Sequence, residues 1–371
     1  MANTRTATEL VVTKFLKQYY REYVRRSRFT RYTGMDHNNV IVIKEGRKKI
    51  EIPLVTRLKG DGTSGSKTLR GNGEAIGNYG QELAPSYKRH AVEFDKEELE
   101  KPAIDLMRAA RPLLLDWSME KTRDDVIKAM AAMHDGTAYR EIAAVTEAQA
   151  DLWAAQNDDR ILFGSALANS SGDHSADLAK VDTTNDTLDR GIVGLAKRMA
   201  KNANPHIRPI RIGEDEEWYV MFVDSYAFRD LKTDMATEHA SAMQRGKSNP
   251  IYKEGDLVYD SVIIREIPEI GELVTNTNGT LSTINLLTGG ASSARVAPCF
   301  FCGAQALGYG LGQRPKIIVD KLYDYGFQPG VAVELKHDIK KTFFDDNPSE
   351  TSSQHVQNGM VTVYVAAAVD S

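Results

Sequence analysis

The chain has 371 residues, of which 42% are apolar and 26% charged. That is the composition of a globular protein with material for two or three domains, or one elaborated one, and it excludes a disordered or fibrous chain. A formal charge of −4 argues against a protein that coats nucleic acid with its whole surface, and two cysteines exclude a disulfide scaffold.

The chain opens with a polar stretch from Ala2 to Glu9, so no secretory signal is expected there. Val12, Phe15, Leu16, Tyr19, Tyr20 and Tyr23 then recur at helical spacing on one face, with Lys14, Lys17, Arg21, Arg25 and Arg28 around the rest. Such a helix can touch nucleic acid or an anionic surface. The plainer reading packs its tyrosines on protein and solvates its charges.

Ile50–Val55 and His90–Phe94 are strand-like runs, and between them Gly60 to Gly80 holds seven of the chain's 28 glycines. Glycine supplies positive φ without steric cost. A structureless stretch of about 20 residues inside a compact domain is commonly functional. The expectation is an extended β-hairpin whose pliant tip is ordered by something outside the monomer. Asp95 to Met133 reads as helical, divided by Pro102 and Pro112. Pro112 suits a first-turn position, so the cleanest helix is expected from Leu113 to His134, roughly 33 Å long. Val126, Ile127, Met130 and Met133 form its apolar stripe, Lys121–Asp125 and Asp124–Lys128 are i,i+4 pairs on its exposed side, and Asp135-Gly136 ends it. His134 there reads as a cation at the helix C-terminus.

The middle of the chain is α/β in pattern. A helix is expected over Thr187–Ala203 and a strand buried on both faces over Trp218–Val223. Asp224 or Ser225 caps a following helix with Phe228, Leu231, Met235 and Ala242 on one face. Val258–Glu266 reads as one strand, Glu272–Ser293 as a surface loop, and Val331–Leu335 and Met360–Val365 as returning strands. The longest uncharged apolar stretch, Val296 to Gln313, contains four glycines and a proline, which speaks against a membrane span.

Local chemistry is sparse. Gly60-Asp61-Gly62-Thr63-Ser64-Gly65 matches a dinucleotide-binding fingerprint by letter, with Glu82 near the place of a ribose-binding acid. The fingerprint works only where the glycine turn opens a helix, and Ser66 to Gly73 has no helical period. The phosphate-loop pattern fails too, because Ser66 displaces Lys67-Thr68 by one residue. Cys299-Phe300-Phe301-Cys302 has redox spacing in an apolar segment with no accompanying ligand pair, and reads as two buried inert thiols. Glu238-His239 lacks the rest of a zinc-protease motif, and Glu214–Glu217 resembles a solvated turn. No catalytic, cofactor-binding or metal-binding residue is assigned, and no enzyme is expected.

The order of elements resembles the major capsid proteins of tailed bacteriophages, which share the Hong Kong ninety-seven fold, and within them the coats of N-four-like phages. The resemblance is carried by Leu69–Ala75 with Tyr87–Val92, Leu113–Trp117, Asp159–Gly164, Trp218–Asp234, Asn249–Tyr252 and Ala294–Gly312. It departs at Gly73, where a second acidic residue is expected, and near Ser225, where a proline is expected. It implies an α+β fold in which residues 1–39 form an arm near the inner surface and 40–95 an extended loop lying on an adjacent subunit. Residues 96–182 would be a peripheral domain with a spine helix, 183–312 an α/β axial domain, and 313–371 strands returning to the peripheral domain. The function implied is self-assembly into pentamers and hexamers of an icosahedral head enclosing double-stranded DNA, built in the host bacterial cytoplasm. Portal and scaffolding or decoration proteins are the further partners, with no membrane and no cofactor. Gly60, Gly62, Gly65, Leu69, Arg70, Asn72, Glu74 and Tyr79 are the expected inter-subunit contacts. Two other readings stand beside it: a nucleotide-dependent enzyme using Gly60–Gly65, and a cellular compartment shell of the encapsulin type.

Overall fold

The computed structural model describes residues 24–46, 48–55, 58, 60–73, 78–100, 105–211, 216–236, 252–253, 256–275, 285–321, 323–345 and 355–370. The amino-terminal amphipathic helix, Ala242, Glu238-His239, Glu74 and the acidic residues Glu214 and Asp215 lie outside them. The chain divides into two compact units. One comprises Tyr87–Thr122 and Gln313–Lys336 with the segment ending at Ser27; the other comprises Arg28–Ser86, Arg123–Gly312 and His337–Ser371.

The larger unit is built on an eight-stranded mixed sheet. Its path runs Tyr252–Lys253, Asp256–Tyr259, Val262–Glu266, Glu217–Val223, Val296–Cys302, Met360–Ala366, Ile161–Phe163, with Ile210–Arg211 beside Glu217–Val223. Glu217–Val223 runs parallel to Val262–Glu266 and antiparallel to Val296–Cys302. These central strands are unbroken apolar runs because both sheet faces are covered. Tyr219, Met221 and Val223 face a layer with Ile192, Val193 and Ala196 of the helix Arg190–Asn202 and Phe228 and Leu231 of the helix Ser225–Asp234. Val220 and Phe222 face the opposite layer, where Val126, Ile127, Met130 and Met133 pack with Phe29 and Trp153. The expected apolar stripe is therefore core.

Several expected boundaries move, each for a local reason. Asp189 accepts a hydrogen bond from Ile192 N at 2.7 Å, so the helix begins at Arg190 rather than Thr187. Val258–Glu266 is two antiparallel strands, because Asp260 and Ser261 take φ of 46° and 59° and form a two-residue hairpin turn. Asp224 does not cap with its side chain; its carboxylate is buried 2.9 Å from Arg295 Nη1.

The long helix spans Leu106–Ala131, 26 residues and about 39 Å. It starts seven residues earlier than expected because Asp105 Oδ1 accepts from Arg108 N at 3.0 Å, which leaves Pro112 inside the helix at the cost of one backbone bond. It ends at Ala131, and Met133–His134 leaves to pair with Tyr139–Arg140. Its charges reach tertiary partners: Asp125 meets His337 Nε2 at 2.9 Å and Lys128 meets Glu141 at 3.3 Å, while Asp124 bonds its neighbour Arg123 at 2.8 Å. His134 is buried with its ring 3.9 Å from that of His355, and burial followed by that neighbour holds its pKa down to about 4. It is a neutral core histidine, not a helix-end cation.

The smaller unit has its own core: Leu114 of the long helix, Val331 and Val333, with Val92, Met107, Trp117, Ile317 and Val319 packed on them. A five-stranded sheet runs in the order Thr33–Gly34, Ile41–Glu45, Leu307–Asp320, Gly330–Lys341, Ser86–Glu93.

Candidate assembly interface

The glycine-rich segment belongs to a hairpin of the larger unit whose stem is Ile50–Val55 against Asn78–Leu83, in register from Ile50 opposite Leu83 to Val55 opposite Asn78. The expected second strand was His90–Phe94. That run instead ends the strand Ser86–Glu93 of the five-stranded sheet, and Asn78–Leu83 takes its place in the hairpin. Ile50 and Ile52 alternate with Glu51 and Pro53, so one face of the stem is apolar.

That face has a prepared seat. A Cβ at Gly308 would lie 2.7 Å from Ile52 Cδ1 and 3.3 Å from Leu83 Cδ1; one at Gly310 would lie 3.2 Å from Leu83 Cβ and 3.3 Å from Ile50 Cδ1. Positions two apart on a strand share a face, so the alternating glycines of Leu307-Gly308-Tyr309-Gly310 open a trough for the stem. Leu83 is fully buried in it. Buried Gln81 donates through Nε2 to Lys341 O, and Ala84 N donates to Asp338 Oδ2 at 2.8 Å. The base of the hairpin is thus fixed by apolar seating and polar anchors.

Beyond the stem the chain leaves this support. Val55 is 61% exposed and Leu58 55%. From Gly60 to Gly73 every residue is exposed except partly covered Thr63, and Leu69 is 75% exposed. Gly62, Gly65 and Gly71 have φ of +71°, +72° and +86°, and a Cβ at any of them, or at Gly73, would meet nothing within 4 Å. These glycines serve turns in open space rather than close packing. The local order is Asn72, whose Nδ2 donates to Thr68 O at 2.8 Å and whose N donates to Leu69 O at 3.1 Å. Of the expected contact residues, Gly60, Gly62, Gly65, Leu69, Arg70 and Asn72 share this projecting segment. Tyr79 lies in the stem opposite Leu54.

The chemistry weighed against this reading finds no support in the described residues. No helix follows Gly60–Gly65 up to Gly73. Cys299 and Cys302 are free and fully buried, and burial pushes both thiols far up, away from the reactive thiolate. One acidic group that the sequence did not single out, Glu147, Asp151 and Asp173, spends its oxygens on the backbone: Ser175 N, His174 N and Ala176 N donate to them at 2.9, 2.7 and 3.0 Å. That is helix capping for His174–Leu178.

The family model described as phage capsid protein matches residues 3–369. The chain belongs to the phage capsid protein family. This phage capsid protein is 26% identical over 375 residues to the major capsid protein of Pseudomonas phage KPP25, across 94% of this chain and 93% of that one. The capsid of cyanophage Pam1 matches it with a TM-score of 0.87 at 30% identity over 100% of both chains. The capsid of Ralstonia phage GP4 shares the fold, with a TM-score of 0.72 and 20% identity over 100% of both chains. The α+β capsid fold expected from the sequence is the fold found, and the phage capsid protein is a structural component of the virion. The nucleotide-enzyme and encapsulin readings are not favoured.

Proposed function

We propose that this phage capsid protein closes an icosahedral head through repeated contacts among identical copies, arranged as pentamers and hexamers around packaged double-stranded DNA. The observation that carries the reading is the hairpin: a stem seated in a glycine trough and an exposed tip in which a Cβ at Gly62, Gly65, Gly71 or Gly73 would meet nothing within 4 Å. Fixing a tip this rich in glycine costs more backbone entropy than fixing other residues, and the reading assigns a neighbouring copy as the receptor that offsets it. An arm laid over a neighbour is a heterologous contact, the kind that propagates around closed rings.

In this reading residues 40–95 hold the arm, the reaching part being the segment between Val55 and Asn78. Residues 96–182 supply the spine helix and peripheral domain, 183–312 the axial domain, 313–371 the returning strands, and 1–39 an arm at the inner surface. Mild negative charge suits a container that must release its DNA. Portal and scaffolding or decoration proteins complete the head, and assembly takes place in the host cytoplasm. The test keeps the stem and replaces residues 58–76 by a two-residue Asn-Gly turn. The variant should fold, with the circular dichroism of the parent, and build no shells by negative-stain microscopy. Closed particles from that variant would remove the arm from the mechanism.

A further inference from the structure

The sequence holds three Asn-Gly pairs, Asn72-Gly73, Asn278-Gly279 and Asn358-Gly359. An asparagine followed by glycine carries a latent reaction, because no Cβ shields the next backbone nitrogen from the side-chain amide. Asn278-Gly279 lies outside the described residues, and the other two pairs sit in opposite surroundings. Asn358 is buried. Its N donates to Thr342 O and Gly303 N donates to Gly359 O, both at 2.8 Å, and a Cβ at Gly359 would stand 2.7 Å from Ala306 Cα. That peptide is clamped on both sides and can turn only if the structure around it opens.

Asn72 and Gly73 are both exposed on the hairpin tip, and a Cβ at Gly73 would meet nothing within 4 Å. The Asn72 side chain is tethered by Nδ2 donating to Thr68 O at 2.8 Å, an exposed bond that water can replace. Once it opens, Gly73 N can attack Asn72 Cγ. The N–Cγ bond forms, the Gly73 amide proton passes through water to Nδ2, and the Cγ–Nδ2 bond breaks with release of ammonia, leaving a succinimide ring. Water then adds to either ring carbonyl. Opening at Cγ gives aspartate; opening at the main-chain carbonyl gives isoaspartate, in which the backbone runs through Cβ and Cγ. Nothing is oxidised or reduced. Either product replaces an amide donor by a carboxylate, which only accepts. It has no hydrogen to share with Thr68 O, so the bond that orders the tip is lost, and a negative charge is added to a chain already at −4.

We propose that Asn72-Gly73 is a self-modification site, through which the folded, unassembled subunit converts its hairpin tip to an acidic form that a neighbouring copy accepts poorly. The effect on assembly rests on the shell-forming reading above; the conversion itself does not. The conversion is followed in the unassembled full chain, kept folded in mildly alkaline buffer, by peptide mapping that resolves aspartate and isoaspartate at each position. Asn72 should convert at least tenfold faster than Asn358, whose reaction waits on a larger opening. An unchanged Asn72, or equal rates at the two positions, would overturn the proposal. Gly73→Val fits the open space around that residue and crowds the attacking nitrogen. It should keep the circular dichroism of the parent and slow conversion of Asn72 at least tenfold; conversion at the parent's rate would overturn the attack by Gly73 N. Partly converted parent chain is then assembled, and the converted fraction in shells is compared with that left in solution. Converted tips should be at least threefold depleted from the shells. Equal fractions in the two pools would overturn the effect on assembly. A parent chain that forms no shells would count against the shell reading, with the conversion decided by the rates in the free subunit.

Discussion

The seat of the hairpin stem can be loosened from either side. Leu83 is fully buried against Gly308 and Gly310, so Leu83→Ala removes its transfer energy and leaves a cavity, a loss of about 2–5 kcal/mol. Gly308→Val approaches from the other side. Its Cβ would stand 2.7 Å from Ile52 Cδ1, and overpacking of this kind costs about 1–3 kcal/mol. Because the stem is a two-stranded ribbon resting on the trough, both losses should be local. Amide hydrogen exchange on the unassembled subunit separates local from global effects. A loss of about 2 kcal/mol raises exchange of the Ile50–Val55 and Asn78–Leu83 amides roughly thirtyfold. The amides of Glu217–Val223 and Met360–Ala366 should hardly change. Unchanged exchange in the stem of Leu83→Ala would refute the seating, and uniform acceleration everywhere would refute its independence.

Acid should weaken the subunit through its buried histidines. His134 and His174 are both held down to about 4, in each case chiefly by burial. Free histidine titrates near 6.5, so above that pH neither site costs anything. As pH falls from about 6.5 to about 4 the unfolded chain takes up protons that the native state refuses, and stability declines, by about 3 kcal/mol per site at the limit. His174→Gln should flatten the urea midpoint between pH 6.5 and 4.5 relative to the parent; an unaltered slope would contradict the assignment. Two ion pairs of equal length offer a contrast: Arg295–Asp224 at 2.9 Å is buried, and Lys49–Glu82 at 2.9 Å is exposed. Asp224→Ala strands a buried guanidinium and should cost about 3–5 kcal/mol in urea melts. Lys49→Ala should cost less than about 1 kcal/mol.

The strand Ile50–Val55 was legible in the sequence because its alternation of apolar and other residues is a local signal. Its partner was not. Asn78-Tyr79-Gly80-Gln81-Glu82-Leu83 has weak strand propensity and is held by register, by the Gln81 bond to Lys341 O and by the trough at Gly308 and Gly310, all set by distant parts of the chain. The hairpin turn at Asp260-Ser261 escaped notice for the opposite reason: it adopts left-handed backbone without the glycine that usually announces it. Asp224 reads locally as a helix cap, and only the fold reveals Arg295, 71 positions away, as its partner. The candidate contact segment was found by glycine density.

Electron cryo-microscopy of particles assembled from the full chain tests the central claim most directly. The account predicts hollow closed shells in which residues 58–76 of each copy lie against the surface of an adjacent copy. Shells in which that segment rests on its own subunit, or a chain that stays unassembled under every condition that yields folded protein, would contradict it.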